Sequence, residues 1–325
     1  MDIIPLSELN QSHRQLIGGK GYALGQLISL GYNVPPGFCV TTLVYDQFLD
    51  QTGLRDLITL ELNRKNMGEM RWEEIWDTAL RIRNLFLRMP FPANLKEVFK
   101  AHCDHYFQTD SVVVRSSACD EDSAGSSFAG LHESYVNLRG FDAIIKHIQL
   151  VWASLWSDRA LLYRRELGLE VEYSAMAVIV QRLVLSDVSG IAFSRNPNNP
   201  EQTIIEAVHG LNQGLVDGSI EPDRWLLNRS TGNLLKHIRS NEPDIWYVLI
   251  MESLWRHYLL TKQRQRLLMP SKLISYFNWR ITLNNNSTYP RILNGLLAII
   301  SSSSYSHGQL PLKKLTQLKI SAVGI

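Results

Sequence analysis

Residues 18–42, GGKGYALGQLISLGYNVPPGFCVTT, hold a glycine-rich turn, a helix and its stop within one short stretch. Gly18-Gly19-Lys20-Gly21 leads into Ala23, Leu24, Leu27, Ile28 and Leu30, an apolar stripe at helical spacing. Gly31 closes it, and Pro35-Pro36 lie beyond, the expected C-terminal punctuation of a helix. A glycine-rich turn at a helix N-terminus leaves backbone N–H groups without intrahelical acceptors, and a lysine beside them makes a ready anion site. Phosphate is the natural guest. GGKG is neither a Walker A loop, which needs Ser or Thr after the lysine, nor G-x-G-x-x-G, and a flexible turn with a solvated lysine is the other reading.

Working outward, residues 111–117, SVVVRSS, read as a short buried strand whose apolar run ends in a cation and two hydroxyls. Arg115 at such a strand end suits a phosphate oxygen or a carboxylate, and a structural ion pair to Glu121 or Asp122 is the alternative. The following residues 118–130 are small and polar, a loop able to fold over a nucleotide. Trp152, Leu155 and Trp156 recur at helical spacing, and residues 159–164 are expected to continue the same helix. Residues 175–184 read as a buried strand that turns through 186–190 into 191–194, a β-hairpin. Gln181 interrupts that apolar strand, so its amide must bond either a neighbouring backbone group or the edge of an adenine ring. Residues 203–207 form another strand, with Glu206 at its end before a second glycine-rich loop, residues 209–218. A hairpin around Ser230-Thr231-Gly232 follows.

Composition bounds these readings. The 325 residues suit about two domains, and 45% hydrophobic with 20% charged residues supports a packed core. The formal charge of +2 gives no global reason for a nucleic-acid partner. No apolar run is long enough to span a membrane, the N-terminus has no secretory h-region, and three widely spaced cysteines suggest neither a disulfide framework nor a zinc ribbon. The expected setting is cytoplasmic. Charge is uneven along the chain: residues 1–245 carry a net −7, whereas residues 246–325 carry ten basic side chains against the single acid Glu252. The latter part also holds Asn284-Asn285-Asn286 and a serine run, and reads as a basic tail, a degraded segment or a shifted frame.

In this order, five stretches resemble the nucleotide-binding N-terminal domain of phosphoenolpyruvate synthase (pyruvate, water dikinase) and pyruvate phosphate dikinase, which is shared with rifampicin phosphotransferases. They are residues 18–42, VVVRSSACDEDSAGSSFAGLHESYVNLRG at 112–140, WASLWSDRALLYRRELG at 152–168, AMAVIVQRLVLSDVSGIAFSRNP at 175–197 and IIEAVHGLNQGLVDGSIEPDRW at 204–225. The resemblance implies an α+β, ATP-grasp-like, two-lobed fold for a truncated family member. Residues 1–110 form the N-terminal lobe, 111–245 the rest of the nucleotide module, and 246–325 a divergent basic segment. It implies ATP as ligand and phosphoryl transfer from ATP, with Lys20 and Arg115 on the phosphates. Gly18, Gly19 and Ser116 lie beside them, and the loop carrying Ser123, Ser126, Ser127 and Gly130 covers them. Gln181, Arg182 and Leu183 form the hinge beside adenine, and Glu206 lies at the cleft. It further implies magnesium, and a phosphohistidine domain and a pyruvate-binding domain that a separate chain would have to supply.

Two departures qualify this. Asn212 stands where the family's GLGE or GLGQ loop has a glycine, which is expected to restrict that turn. The family's later acidic, metal-binding DIEW-like segment is not visible after residue 245, so the usual magnesium ligands are not found. A non-catalytic ATP-binding remnant therefore stands beside the phosphotransferase reading. His307, in Ser306-His307-Gly308, and the terminal residues 320–325 resemble pieces of the family's phosphohistidine segment, against the reading of His307 as a loop residue.

Overall fold

The computed structural model describes residues 3–118, 133–168, 174–216 and 218–240, and the backbone of 296–301 and 319–324. Contacts divide the chain into one unit of Met1–Gly31 and Pro35–Leu183 and a second of Tyr32–Val34 and Val184–Ile325. The division at residue 110 is what the family resemblance implies. In the backbone, the strand that begins at Val112 lies in the same sheet as strands from residues 3–5, 37–40 and 176–182.

The first unit is a five-stranded antiparallel sheet with helices. The strands are β1 (Ile3–Pro5), β2 (Gly37–Val40), β3 (Val112–Ala118), β4 (Ser134–Leu138) and β5 (Met176–Arg182), in the order β1-β2-β5-β3-β4. The helices are α1 (Arg14–Ser29), α2 (Thr42–Thr52), α3 (Leu54–Leu62), α4 (Trp72–Arg88), α5 (Ala93–Tyr106), α6 (Phe141–Ser154) and α7 (Asp158–Glu166). The chain is thus α+β, as expected.

Side chains of a strand alternate between faces, and the register carries that alternation across the sheet. Phe38, Val40, Val112, Val114, Ala118, Met176, Val178 and Val180 all join one core cluster with the inner faces of α2, α4, α5 and α6. Trp152 sits at its centre, stacked on Phe91 at 6.0 Å and 5.1 Å from Phe48. Its indole N–H donates to the Met176 carbonyl at 3.1 Å, so the polar edge of a fully buried ring is satisfied. Truncation of such a residue costs about 3–5 kcal/mol. Trp156 is buried too and donates to the Tyr45 hydroxyl at 3.0 Å, while burial drives the Tyr45 phenol above its ordinary value. Both tryptophans belong to the core.

Gly31, at φ 80, ends α1, and its N–H donates to the Ile28 carbonyl. The helix expected to run through residues 152–164 is instead two, α6 and α7. Ser157 takes an extended conformation and its hydroxyl accepts the Ala160 N–H at 3.2 Å, an N-cap that starts a new helix.

The second unit has a four-stranded antiparallel sheet of β6 (Val188–Phe193), β7 (Gln202–His209), β8 (Asp223–Asn228) and β9 (Leu234–Ile238), in chain order, and the one-turn helix α8 (Gln213–Val216). The hairpin at 230–232 forms as expected, with Gly232 at φ 72. The hairpin expected between residues 175–184 and 191–194 does not form. Both edges of β5 are occupied, by β2 and β3, so β6 pairs with β7 in another sheet. Farther on, β10 (Leu296–Ser301) pairs antiparallel with β11 (Lys319–Gly324). Most of residues 246–325, His307 included, lie outside the described residues. Among the described residues no helix is long and apolar enough to cross a membrane.

Candidate functional site

The first unit's sheet has a second face, made by the residues that alternate with the core. Register pairs Arg115 with Ile179, Ser117 with Ala177, Val113 with Gln181, Cys39 with Ile179 and Gly37 with Gln181, so these side chains share that face. Helix α1 lies on it. The Cys39 sulfur is 4.0 Å from the Ile17 carbonyl oxygen, and Ile17 is fully buried.

Helix α1 is not continuous. Gly18, at φ 68 and ψ 177, breaks it, in a region that is essentially glycine-only. The break places the start of a second helical segment at Gly19-Lys20-Gly21, where N–H groups lack a preceding turn. The expected glycine-rich turn at a helix start is therefore present, inside a longer helical run that begins at Arg14.

One side chain closes the break. The Ser117 hydroxyl accepts the Gly21 N–H at 3.0 Å and donates to the Ile17 carbonyl at 2.6 Å, so it bridges both sides of the interruption. Gly18 packs so tightly on the same strand that a Cβ there would lie 2.2 Å from the Ser117 carbonyl oxygen. The GGKG segment and the VRSS strand end, distant in sequence, are thereby one local structure. The sequence reading named Ser116 and passed over Ser117. Two adjacent serines look alike in a sequence, and only the register shows that Ser117 faces α1 while Ser116 faces the core side with Val114 and Val178. The Ser116 hydroxyl is fully buried and has no hydrogen-bond partner among the described residues.

Arg115 is 4% exposed, a buried cation on the α1 face, and Gly19 and Lys20 are half-buried. Glu121 and Asp122, the alternative partners of Arg115, lie outside the described residues, as do Ser123, Ser126, Ser127 and Gly130. Gln181 is buried, and its amide donates to the Pro35 carbonyl at 2.8 Å, the neighbouring-backbone role. The Arg182 N–H goes to the Pro36 carbonyl and the Leu183 N–H to the Ser111 carbonyl. Arg182 also pairs with Asp110 at 2.8 Å. These bonds anchor the segment 181–183 from both sides.

Glu206 belongs to the second unit. It lies within β7, rather than at its end, directly opposite Arg224 on β8, whose guanidinium donates to its carboxylate at 2.5 Å. In the glycine-rich loop after β7, Gly210 and Gly218 take positive φ, and the Gly210 N–H donates to the Asp187 carbonyl. Asn212 is not in the left-handed region, and its carbonyl accepts the Leu215 and Val216 N–H groups, starting α8. The asparagine therefore strains no backbone there. Among the described residues no group of three or more His, Cys, Asp or Glu side chains is placed to hold a metal.

Comparison with known proteins matches residues 14–277 to the pyruvate phosphate dikinase, AMP/ATP-binding domain. The phosphoenolpyruvate synthase of Aeropyrum pernix is 36% identical over 252 residues, which cover 74% of this chain and 30% of that protein. The probable phosphoenolpyruvate synthase of Methanocaldococcus jannaschii is 34% identical, covering 73% of this chain and 20% of its own length. The rifampicin phosphotransferase of Bacillus subtilis is 34% identical, covering 68% of this chain and 26% of its own length. The chain thus spans less than a third of the length of these relatives. With a family match across more than half of its residues, the chain belongs to the pyruvate phosphate dikinase AMP/ATP-binding domain family.

Proposed function

We propose that the chain binds ATP and transfers a phosphoryl group from it, as the nucleotide-binding part of a phosphotransferase like phosphoenolpyruvate synthase. The observation that carries this reading is the Ser117 bridge, which holds the interrupted helix at Gly18–Gly21 against the strand that bears Arg115. Helix-start N–H groups, a lysine and a buried guanidinium together supply the donors and positive charge that phosphate oxygens require. Gly18 supports the docking of this segment on the strand, since a Cβ there would lie 2.2 Å from the Ser117 carbonyl oxygen.

In this reading Gly18, Gly19, Lys20 and Arg115 surround the phosphates, with Ser123, Ser126, Ser127 and Gly130 covering them, while the Ser116 hydroxyl, turned to the core face, has no part in the site. Gln181, Arg182 and Leu183 border the adenine, and Glu206 lies at the nucleotide cleft. The fold is ATP-grasp-like and two-lobed, with the nucleotide module in residues 1–110 and 111–245 and a divergent segment in 246–325. ATP supplies the phosphoryl group. The chain's own part is to hold its charge with preorganised donors, the usual source of catalysis in phosphoryl transfer. Magnesium is expected by kinship, and no described residue is assigned to it. The acceptor is a histidine on a phosphohistidine domain that works with a pyruvate-binding domain, in the cytoplasm. No nucleic-acid or membrane partner is proposed.

Calorimetry with ATP, with and without magnesium, tests this on the full chain and on Lys20→Ala and Arg115→Ala. Each substitution is expected to weaken ATP binding about 10-fold or more, as loss of a charged hydrogen bond of about 1.5–3 kcal/mol requires. A folded chain that does not bind ATP overturns the reading. Tight binding without phosphoryl transfer to any added histidine domain would leave a nucleotide-binding protein in place of an enzyme.

A further inference from the structure

Helix α4 carries an apolar stripe on its outer surface. Trp72, Trp76, Leu80 and Leu87 are 57, 49, 43 and 49% exposed, while the inner face of the same helix, Ile75, Ala79, Ile82 and Phe86, is buried. With Arg83, these residues recur at steps of four, four, three and four, which at 3.6 residues per turn is a continuous line along the helix. Two tryptophans in such a line mark an interaction surface, since scattered apolar residues are ordinary but an aligned set is not.

The sequence of the stripe points to its partner. Reversed end to end about a point beside Ala79 and Leu80, the pattern maps onto itself: Trp72 onto Leu87, Trp76 onto Arg83, and Leu80 close to its own copy. Charge follows the same symmetry. The N-terminal half of α4 carries Glu73, Glu74 and Asp77 and no base, whereas the C-terminal half carries Arg81, Arg83 and Arg88 and no acid. Glu73 and Arg88, both exposed, flank the stripe on one side. Arg83 is half-buried, bonded through one nitrogen to Glu133 at 3.3 Å, which leaves its planar face for stacking on an aromatic ring.

We propose that α4 is a self-association surface, on which two copies of this chain pair antiparallel about a two-fold axis beside Leu80. Trp72 of one copy then packs on Leu87 of the other, Trp76 on the Arg83 guanidinium, Leu80 on Leu80, and Glu73 faces Arg88. Such an interface is isologous, as a two-fold axis requires. A single helix pair buries less than the roughly 1,200–2,000 Å² of stable complexes, so the dimer is weak and depends on concentration. This inference does not rest on the nucleotide reading.

Sedimentation velocity on the full chain, from micromolar to submillimolar concentration, is the test. A monomer–dimer shift is expected, with Trp76→Glu and Leu80→Glu each weakening it about 10-fold or more and leaving the unfolding midpoint unchanged. Glu73→Arg weakens it as well, and the double variant Glu73→Arg with Arg88→Glu restores it. In a Cys119→Ser background, Leu80→Cys cross-links to itself under mild oxidation. Trp72→Cys cross-links only when mixed with Leu87→Cys. A monomer at every concentration, a dimer indifferent to Leu80→Glu, or self-cross-linking of Trp72→Cys as fast as of Leu80→Cys overturns the proposal.

Discussion

Ser117 and Gly21 stand ninety-six residues apart in the chain, and the hydroxyl of one accepts the N–H of the other at 3.0 Å. With its donation to Ile17, that hydroxyl replaces hydrogen bonds that α1 gives up at Gly18. It acts for the second helical segment as a capping side chain would, from another strand.

Removal of the hydroxyl leaves two buried backbone groups without this partner. Ser117→Ala is expected to cost about 1–3 kcal/mol, the usual penalty for an unsatisfied buried polar group, seen as a lower denaturant midpoint at unchanged slope. An unchanged midpoint would show that the break in α1 holds itself.

Gly18 and Gly31 both have positive φ, yet they differ in surroundings. At Gly18 a Cβ meets the Ser117 carbonyl oxygen at 2.2 Å, whereas at Gly31 there is nothing within 4 Å. Gly31→Ala should cost about 1–2 kcal/mol, the conformational penalty alone. Gly18→Ala adds a backbone clash that no side chain can relieve, and a loss above ~3 kcal/mol or failure to fold is expected. Equal losses in thermal unfolding would contradict the close approach.

The parts of this arrangement that were legible in the sequence are those with local causes. The buried apolar run of β3, the stop at Gly31 and the hairpin at Gly232 each follow from residues next to one another. The docking of Gly18 to Gly21 on β3 was not legible, because it depends on which of two serines the register turns toward α1. The β5–β6 hairpin was misread for a related reason: adjacency in sequence favours pairing, but β2 and β3 already occupy both edges of β5. The same limit hid Arg224, which meets Glu206 only through the β7–β8 register.

Cys103, in the core on α5, has its thiol pushed up from the ordinary 9.0 to about 12, first by burial and then by Asp104. The folded state therefore holds its proton at pH values where the unfolded chain releases it. The associated stability is complete below pH 9 and is lost as the pH rises from about 9 toward 12. In a Cys119→Ser background, thiol reagents at pH 8 should label Cys103 and the equally buried Cys39 only as fast as the protein opens. Rapid labelling under native conditions would contradict the burial.

The resemblance read from the sequence implies a glycine at the position of Asn212, and replacing it by glycine would be expected to relieve strain if the turn needed a left-handed residue there. The turn takes a positive φ at Gly210, and Asn212 lies outside the left-handed region with its carbonyl engaged by Leu215 and Val216. Glycine at 212 would thus relieve nothing and would add freedom to the unfolded chain, a cost of up to about 1 kcal/mol. Asn212→Gly should lower the thermal midpoint slightly. A higher midpoint would mean that the asparagine is held in strain, and would place the origin of that strain in the loop between β7 and α8.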